Sequence, residues 1–172
     1  MKRIWRHFLE YVSNYKKTIL LNYVIFLILI TILLIIDLLT KHFLFNVNDS
    51  SITYSNWLFG IRSLKNPGLT FFPGNTNVAL VTFFNIIILL ACLFGILFLR
   101  NYWIVVFVSF IFSGSLGNTI DRLSFHYVRD IIFLPWCDLG TFNFADMDVI
   151  VGSFGCVATW AIIAITNYYK NK

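Results

Sequence analysis

The chain has 172 residues, of which 59% are hydrophobic and only 12% are charged. Because soluble domains carry about a quarter charged residues, this composition excludes an ordinary soluble enzyme. It predicts an all-α integral membrane protein whose single domain spans 1–172. The net charge of +5 does not indicate nucleic acid binding, since the basic residues cluster beside apolar segments, as they do in membrane anchors.

The N-terminal arm, residues 1–17, is basic and carries apolar residues at helical spacing. This pattern predicts a short amphipathic helix lying on the membrane surface. The alternative is a disordered basic tail. The apolar stretch that follows is too long for a cleaved signal peptide and lacks a small-residue cleavage site, so we expect it to remain as a membrane span.

Apolar segments at about 18–36, 78–99, 103–120 and 149–165 are each long enough to cross roughly 30 Å of hydrocarbon, which predicts four transmembrane helices. Lys and Arg are more numerous in the arm, the turn at Arg100 and the C-terminal tail than in the two long connections. Since cytoplasmic segments are enriched in these residues, both termini are predicted to be cytoplasmic. The connections 37–77 and 121–148 are then extracytoplasmic.

The first connection carries β-like runs and turn signals, which predict a small extracytoplasmic β-rich segment resting on the membrane. A connection of this length is usually functional rather than a mere link. The runs are Ile52–Tyr54 and Trp57–Ile61, and the turn signals are Asn66-Pro67-Gly68 and Pro73-Gly74-Asn75.

Every acidic residue except Glu10 is an aspartate in an outer connection or at the outer end of a span. Carboxylates near hydrocarbon are costly, so they are candidate functional groups. Two carboxylates brought together cannot both ionise cheaply, and one keeps its proton. Such a pair can activate a water as base and protonate a leaving amine as acid. The aspartates are Asp37, Asp49, Asp121, Asp130, Asp138, Asp146 and Asp148.

Spacing alone leaves the identity of this pair open among Asp121, Asp130 and Asp146, with Asp138 and Asp148 less favoured. Asp121 also has a structural alternative, which is an ion pair with Arg122 or Arg129. Asp37 and Lys41 are four residues apart and share a helix face. They form either an ion pair that fixes helix depth or part of a substrate site.

Other polar residues are open to functional and structural interpretations. Asn66 begins an ordinary turn, yet its side chain could hold a substrate backbone amide, because it both donates and accepts. Asn118 follows a stretch of Ser and Gly that allows close helix packing. Ser115 is interpreted as a packing residue rather than a nucleophile. The three cysteines are interpreted as unpaired, and no metal-binding spacing is present.

Five elements in this order resemble the bacterial lipoprotein signal peptidase family, also called signal peptidase II. Each element is short, but their order and their common membrane edge make the combination specific. The elements are D-x-x-T-K (Asp37–Lys41), N-x-G-x-x-F (Asn66–Phe71), GNTIDR (Gly117–Arg122), VRD (Val128–Asp130) and FNFAD (Phe142–Asp146).

The resemblance implies a membrane aspartic endopeptidase with Asp130 and Asp146 as its catalytic dyad. It implies cleavage of diacylglyceryl-modified prolipoproteins before the lipidated cysteine, without metal or cofactor, and inhibition by globomycin. The expected partners are the lipidated prolipoprotein and membrane lipid, and one chain would house the site as a monomer. Substrate-binding or supporting roles are implied for Asp37, Lys41, Asn66, Gly68, Asn118, Asp121, Arg122 and Asn143.

The chain departs from the family pattern in two places. Phe133 stands where the family often has a second aspartate, and the N-x-G-A-A-F element has Leu69 and Thr70 in place of the alanines. These differences affect the expected loop shape and inhibitor contacts more than the reaction. The alternative function is a small transporter or ion-binding protein, which would need carboxylates deep within the spans.

Overall fold

The computed structural model describes residues 2–68, 77–137 and 139–171. It shows four long helices and one small sheet, and all four helices are long and apolar enough to cross a membrane. The predicted fold class is therefore confirmed. The helices are α1 (Lys2–Leu44), α2 (Val78–Gly95), α3 (Tyr102–Phe125) and α4 (Phe144–Lys170), and the strands are β1 (Ile52–Ser55), β2 (Gly60–Asn66), β3 (Val128–Phe133) and β4 (Thr141–Phe142).

Helix α1 includes the N-terminal arm, so the prediction of a separate helix lying on the membrane surface is wrong. The helix has 43 residues, which corresponds to a length of about 65 Å. No Pro or Gly interrupts it, and its hydrogen-bond ladder continues from the arm into the span. Arg100 stacks over the Tyr15 ring at 4.2 Å, which ties the arm to the turn between α2 and α3.

Helix α3 is the central helix of the bundle and packs against α1, α2 and α4. A buried cluster of Phe26, Ile30, Ile96 and Val105 lies between α1, α3 and the short 3-10 helix (Ile96–Phe98) that follows α2. Closer to the sheet, a Cβ on Gly114 would collide with the backbone oxygen of Ala145. The small residues late in the third span therefore allow close packing, as predicted.

The last three helices each begin after an asparagine that caps the first turn. Asn77 accepts from the backbone N–H of Ala79, and Asn101 accepts from that of Trp103. Asn143 forms a full capping box with Asp146 at the start of α4. These side chains satisfy backbone donors that have no partner inside the helix, and so they define where each helix starts.

The sheet is antiparallel with the strand order β1-β2-β3-β4. The predicted run Ile52–Tyr54 lies in β1, but Trp57–Ile61 is only partly strand. Strand β2 begins at Gly60, because the Asn56 side chain accepts hydrogen bonds from the backbone of Leu58 and Phe59 and closes a turn there. Strands β3 and β4 lie in the second connection and were not predicted.

The junctions between sheet and helices bring distant parts of the chain together. Leu64 on β2 pairs with Asp130 on β3. Strand β4 continues through Asn143 directly into α4. The backbone N–H of Asn46, just beyond α1, donates to Ser63 Oγ on β2 at 2.7 Å. Residues from every long segment of the chain except α2 thus meet where the sheet joins the bundle.

Candidate active site

Asp130 is fully buried on β3 and accepts hydrogen bonds from two asparagine side chains. Asn143 Nδ2 lies 2.8 Å from Asp130 Oδ1, and Asn66 Nδ2 lies 2.8 Å from Asp130 Oδ2. The sheet positions the second contact, because β2 and β3 place Asn66 opposite Val128, two residues from Asp130. Both carboxylate oxygens are therefore held in a fixed orientation.

Asp146 occupies the first turn of α4 and is fixed by the capping box. Its backbone N–H donates to Asn143 Oδ1 at 2.9 Å, and its Oδ2 accepts from the backbone N–H of Asn143 at 3.2 Å. From α3, Asn118 Nδ2 donates to Asp146 Oδ1 at 2.8 Å. Helix α4 and helix α3 thus orient this carboxylate together.

Asn143 joins the two carboxylates, since its side chain donates to Asp130 and its backbone donates to Asp146. Burial, together with the nearby charge of Asp146, raises the pKa of the Asp130 carboxyl to about 7, although the amide donors of Asn66 and Asn143 and the charge of Lys41 act in the opposite direction. Asp130 and Asp146 are called the dyad below. Their carboxyls share one electrostatic environment, so the protonation of one affects the pKa of the other.

A buried group of charges adjoins the dyad and is called the lysine cluster below. Lys41 Nζ lies 2.8 Å from Asp37 Oδ2 and 3.4 Å from Asp121 Oδ2. Arg129 donates to Asp121 Oδ1 from Nη2 at 2.7 Å. The predicted Asp37–Lys41 ion pair is confirmed. Of the two arginines considered as partners of Asp121, Arg129 forms the ion pair, and Lys41 is a second partner.

The lysine cluster contacts the dyad through Asn118 and Ala145. Lys41 Nζ donates to Asn118 Oδ1 at 3.2 Å, and Asn118 in turn donates to Asp146. The backbone N–H of Ala145 donates to Asp37 Oδ1 at 3.0 Å. Gly117 permits this approach, because a Cβ there would lie 2.5 Å from Asp37 Oδ2.

Arg122 is a buried cation beside the dyad. Its Nη2 donates to the backbone oxygen of Gly68 at 3.1 Å, and its Nη1 lies 3.5 Å from the backbone oxygen of Asn118. Its buried Nε has no hydrogen-bond partner among the described residues. The Gly68 N–H donates to Asn66 Oδ1 at 3.0 Å, so the turn that holds Arg122 also holds Asn66.

The structure brings together all ten residues implied by the resemblance and separates the remaining aspartates from them. Asp49 is exposed and accepts from the backbone N–H of Ser51. Asp148 is buried on α4, but its carboxylate makes no hydrogen bond to another described residue. Asp138 and the second half of the Asn66–Phe71 element lie outside the described residues.

Two features of the site were missed in the sequence. Four of the six residues in Val128–Phe133 are β-branched or aromatic, a weak signal for β3, the strand that carries Asp130. The spacing of Asn143 and Asp146 is that of an N-cap and the third residue of a helix, which could have revealed the capping box. The contact between Lys41 and Asn118 has no local signal, since 77 residues separate them.

The arrangement suits acid/base cleavage of an uncharged bond. When a dyad holds one proton, its ionised carboxylate can take a proton from water and its protonated carboxyl can donate one to the leaving group. The nearby asparagine side chains and Arg122 offer hydrogen-bond donors for developing negative charge. No group of three or more potential metal-binding His, Cys, Asp or Glu residues occurs in the described part of the chain.

Comparison with known proteins gives consistent results at the level of sequence and fold. The family described as Signal peptidase (SPase) II matches residues 29–163. The lipoprotein signal peptidase of Clostridioides difficile (strain 630) is 36% identical over 138 residues, which cover 76% of this chain and 91% of that relative. The lipoprotein signal peptidase of Lactiplantibacillus plantarum (strain ATCC BAA-793 / NCIMB 8826 / WCFS1) is 31% identical over 134 residues, which cover 74% and 88%.

A solved structure, described as a bacterial membrane enzyme, has the same fold. Its TM-score is 0.71 at 24% sequence identity, and the match covers 86% of this chain and 90% of that chain. A second bacterial membrane enzyme matches with a TM-score of 0.70 at 23% identity over 78% of this chain and 91% of that one. At these identities the likeness concerns the fold.

Proposed function

Because this chain belongs to the signal peptidase II family, we propose that it removes signal peptides from diacylglyceryl-modified prolipoproteins by an aspartic mechanism. The bond cleaved is the one before the lipidated cysteine. The observation that carries the mechanism is the bridge by Asn143, which donates to Asp130 and to Asp146 and holds the two carboxylates in one buried site.

The dyad acts as a shared acid and base. One carboxylate accepts a proton from water as the water oxygen attacks the carbonyl carbon, and the other carboxyl provides a proton so that the amine of the cysteine can leave. Asn118 and Asn143 orient the carboxylates, and Arg122 stabilises the negative charge of the dyad. Asn66 and Gly68 would position the substrate backbone near this centre.

The proposed location is a bacterial cytoplasmic membrane with both termini inside and the dyad at the extracytoplasmic edge. The excess of Lys and Arg in the arm, the Arg100 turn and the tail supports this orientation. The dyad lies where the apolar helices meet the sheet, so a substrate anchored by acyl chains in the bilayer could present its cysteine there. One chain contains the whole proposed site, which supports a monomer.

A small transporter or ion-binding protein is not favoured. The aspartates of the dyad and the lysine cluster lie near the sheet end of the helices and are held by hydrogen bonds. A pathway through the membrane would require carboxylates farther along the helices, and the described helices carry none there except Glu10, which is exposed in the N-terminal arm.

Cleavage of a purified diacylglyceryl-modified prolipoprotein by the detergent-solubilised protein tests the proposal. We expect the wild type to release the signal peptide, globomycin to inhibit the reaction, and a chelator to have no effect. Asp130→Asn and Asp146→Asn should each abolish cleavage while the protein still inserts and folds. Full cleavage by either variant would overturn the assignment of the dyad. A wild type that processes unlipidated precursor equally well would overturn the substrate class.

A further inference from the structure

Lys41 begins a chain of hydrogen bonds that ends on Asp146. Its Nζ donates to Asn118 Oδ1 at 3.2 Å, and Asn118 Nδ2 donates to Asp146 Oδ1 at 2.8 Å. Because an ammonium group has only donors, Asn118 must present its oxygen to Lys41 and its NH2 group to Asp146. Asn143 Nδ2, at 3.2 Å from the same Asn118 oxygen, favours the same orientation.

The lysine is itself fixed in place. Its side chain is fully buried, and Nζ lies 2.8 Å from Asp37 Oδ2 and 3.4 Å from Asp121 Oδ2. Hydrogen bonds to Asp37 and Asn118 use two of the three N–H groups of the ammonium, and Asp121 lies within ion-pair distance of it. A buried ammonium held in this way cannot rotate to another partner without leaving a carboxylate unpaired, so the orientation of Asn118 is permanent.

The two members of the dyad have different surroundings. Asp146 lies in the first turn of α4, where the helix N-terminus favours negative charge, and it accepts from the backbone N–H of Asn143. Asp130 lies on a strand, away from any helix N-terminus, and accepts from the amides of Asn66 and Asn143. Burial raises the pKa of both carboxyls, and the charge of Asp146 raises that of Asp130 further, to about 7.

We propose that Lys41, acting through the Asn118 amide, makes Asp146 the ionised member of the dyad and leaves the shared proton on Asp130. Lys41 is in this sense a positioning residue for the reaction, and Asp146 is the base that activates water. The inference rests on the proposed function, because it assigns roles within the same dyad.

The proton balance follows from this assignment. As the water oxygen bonds to the carbonyl carbon, Asp146 takes a proton from the water and Asp130 gives its proton to the carbonyl oxygen. In the second step Asp130 takes a proton from one hydroxyl of the tetrahedral intermediate, Asp146 protonates the nitrogen, and the carbon–nitrogen bond breaks. Asp146 is again ionised and Asp130 again protonated, so the dyad is ready for another cycle.

Charged groups from several elements face Asp146, and any change of the pH profile must be interpreted against them. Helix α1 contributes Asp37 and Lys41, α3 contributes Arg122, and β3 contributes Asp130. Asp121 and Arg129 lie one contact farther away, where Asp121 pairs with Lys41 and with Arg129. Each of the variants described next changes the total charge around Asp146 by no more than one unit.

Asn118→Asp is the first test, because it keeps an oxygen acceptor for Lys41 and removes the NH2 donor to Asp146. We expect kcat to fall by about tenfold to hundredfold with little change in KM. The acid limb of the kcat profile, where activity falls as Asp146 becomes protonated, should move to higher pH by about one unit or more. Because the new carboxylate would itself repel Asp146, Asn118→Ala is measured beside it, since that variant removes the donor and adds no charge. An acid limb that moves in Asn118→Asp but not in Asn118→Ala would reflect repulsion alone and would contradict the role of the amide.

Lys41→Gln combined with Asp37→Asn is the second test, because the pair of changes removes one positive and one negative charge. Asp121 keeps Arg129 as its partner, so the variant retains a balanced cluster. We expect the same upward shift of the acid limb. Lys41→Arg keeps a cation beside Asn118 and should retain the wild-type acid limb. Asp37→Asn alone keeps the cation and removes a negative charge near Asp146, so its acid limb should not move to higher pH.

Infrared spectra of the single dyad variants at pH 5 test the proton assignment when each is recorded in an Asp148→Asn background, so that this further buried carboxyl adds no band. The carboxylic acid band of the site should be absent in Asp130→Asn and present in Asp146→Asn. The reverse pattern, or an acid limb that does not move in the double variant, overturns the inference while the proposed function stands. If Asp130→Asn and Asp146→Asn both cleave the lipidated substrate normally, the proposed function itself fails.

Discussion

Asn143 Nδ2 and Asp130 Oδ1 lie 2.8 Å apart, and this contact joins the N-cap of α4 to strand β3. The same asparagine completes the capping box with Asp146. One residue therefore starts a helix, closes the sheet end of the bundle and sets the two carboxylates side by side. A side chain with these three roles should affect both stability and activity when it is removed.

Asn143→Ala should lower activity by about a hundredfold or more, because the dyad loses a side-chain donor and its shared anchor. The free energy of unfolding should fall by about 1–2 kcal/mol through loss of the N-cap. Prolipoprotein cleavage and thermal unfolding in detergent measure the two effects. Asn101→Ala is the matched control, because Asn101 caps α3 at the opposite end. It should lower stability without a comparable loss of cleavage, and equal losses of activity in both variants would contradict the role of Asn143.

The raised pKa of Asp130, about 7, predicts a loss of activity as the pH rises through neutrality. Above that pH the dyad no longer holds its shared proton and cannot protonate the substrate. The folded state binds this proton more tightly than the unfolded chain does. The corresponding stabilisation is therefore complete below the ordinary aspartate pKa of about 4 and is lost as the pH rises through about 7.

The profile of kcat/KM against pH measures the first effect, and unfolding of wild type and Asp130→Asn between pH 4 and pH 8 measures the second. The variant should show a smaller decrease in stability over that range, because its amide does not titrate while the other buried carboxyls still do. A wild-type profile that stays level up to pH 9 would show that the proton on Asp130 is not required.

Gly117→Ala should disturb the lysine cluster, because the added Cβ would lie 2.5 Å from Asp37 Oδ2. Asp37 holds Lys41 and the backbone N–H of Ala145, so the displacement reaches the start of α4. We expect a destabilisation of about 1–3 kcal/mol together with reduced cleavage. Gly95→Ala, where a Cβ would meet no atom within 4 Å, should be neutral or slightly stabilising. Thermal unfolding compares the two, and equal stability would contradict the close approach.

The sequence predicts the helices well and the sheet poorly, for physical reasons. Long apolar runs identify membrane spans because few other structures bury so many apolar residues. The strands are short, and β3 carries Arg129 and Asp130, so its hydrophobic signal is weak. The periodicity of the arm predicts a helix there, but periodicity does not report whether that helix continues into the next segment.

From the sequence, the residues of the site are identified only through the family pattern. The spacing of the aspartates does not decide which two of Asp121, Asp130 and Asp146 form the catalytic pair. The structure distinguishes these residues by their partners. Asp121 is paired with Lys41 and Arg129, whereas Asp130 and Asp146 accept bonds from neutral donors only. Contacts such as Lys41 with Asn118 depend on helix packing across the bundle, which local sequence does not encode.

Asp121→Asn should be strongly destabilising, because Asp121 is fully buried and accepts from the backbone N–H and the guanidinium of Arg129. The change leaves Arg129 without its carboxylate and Lys41 with one carboxylate in place of two. We expect the free energy of unfolding to fall by about 3–5 kcal/mol. Adding Arg129→Gln should recover part of this loss, since it removes the unpaired cation. No recovery in the double variant would indicate that the pair contributes little.

Asp148→Asn should retain most of the activity and should not destabilise the protein. The Asp148 carboxylate is 8% exposed, makes no hydrogen bond to another described residue, and lies within electrostatic reach of Asp37. Removing its charge therefore relieves repulsion without breaking a contact, and we expect an increase of about 1 kcal/mol or less in the free energy of unfolding at neutral pH. Asp148 lies two residues after Asp146 on the same helix, so the same Asp→Asn change there controls for the chemical change itself. Loss of cleavage in Asp148→Asn with folding intact would place a third carboxylate in the reaction and contradict a mechanism that uses the dyad alone.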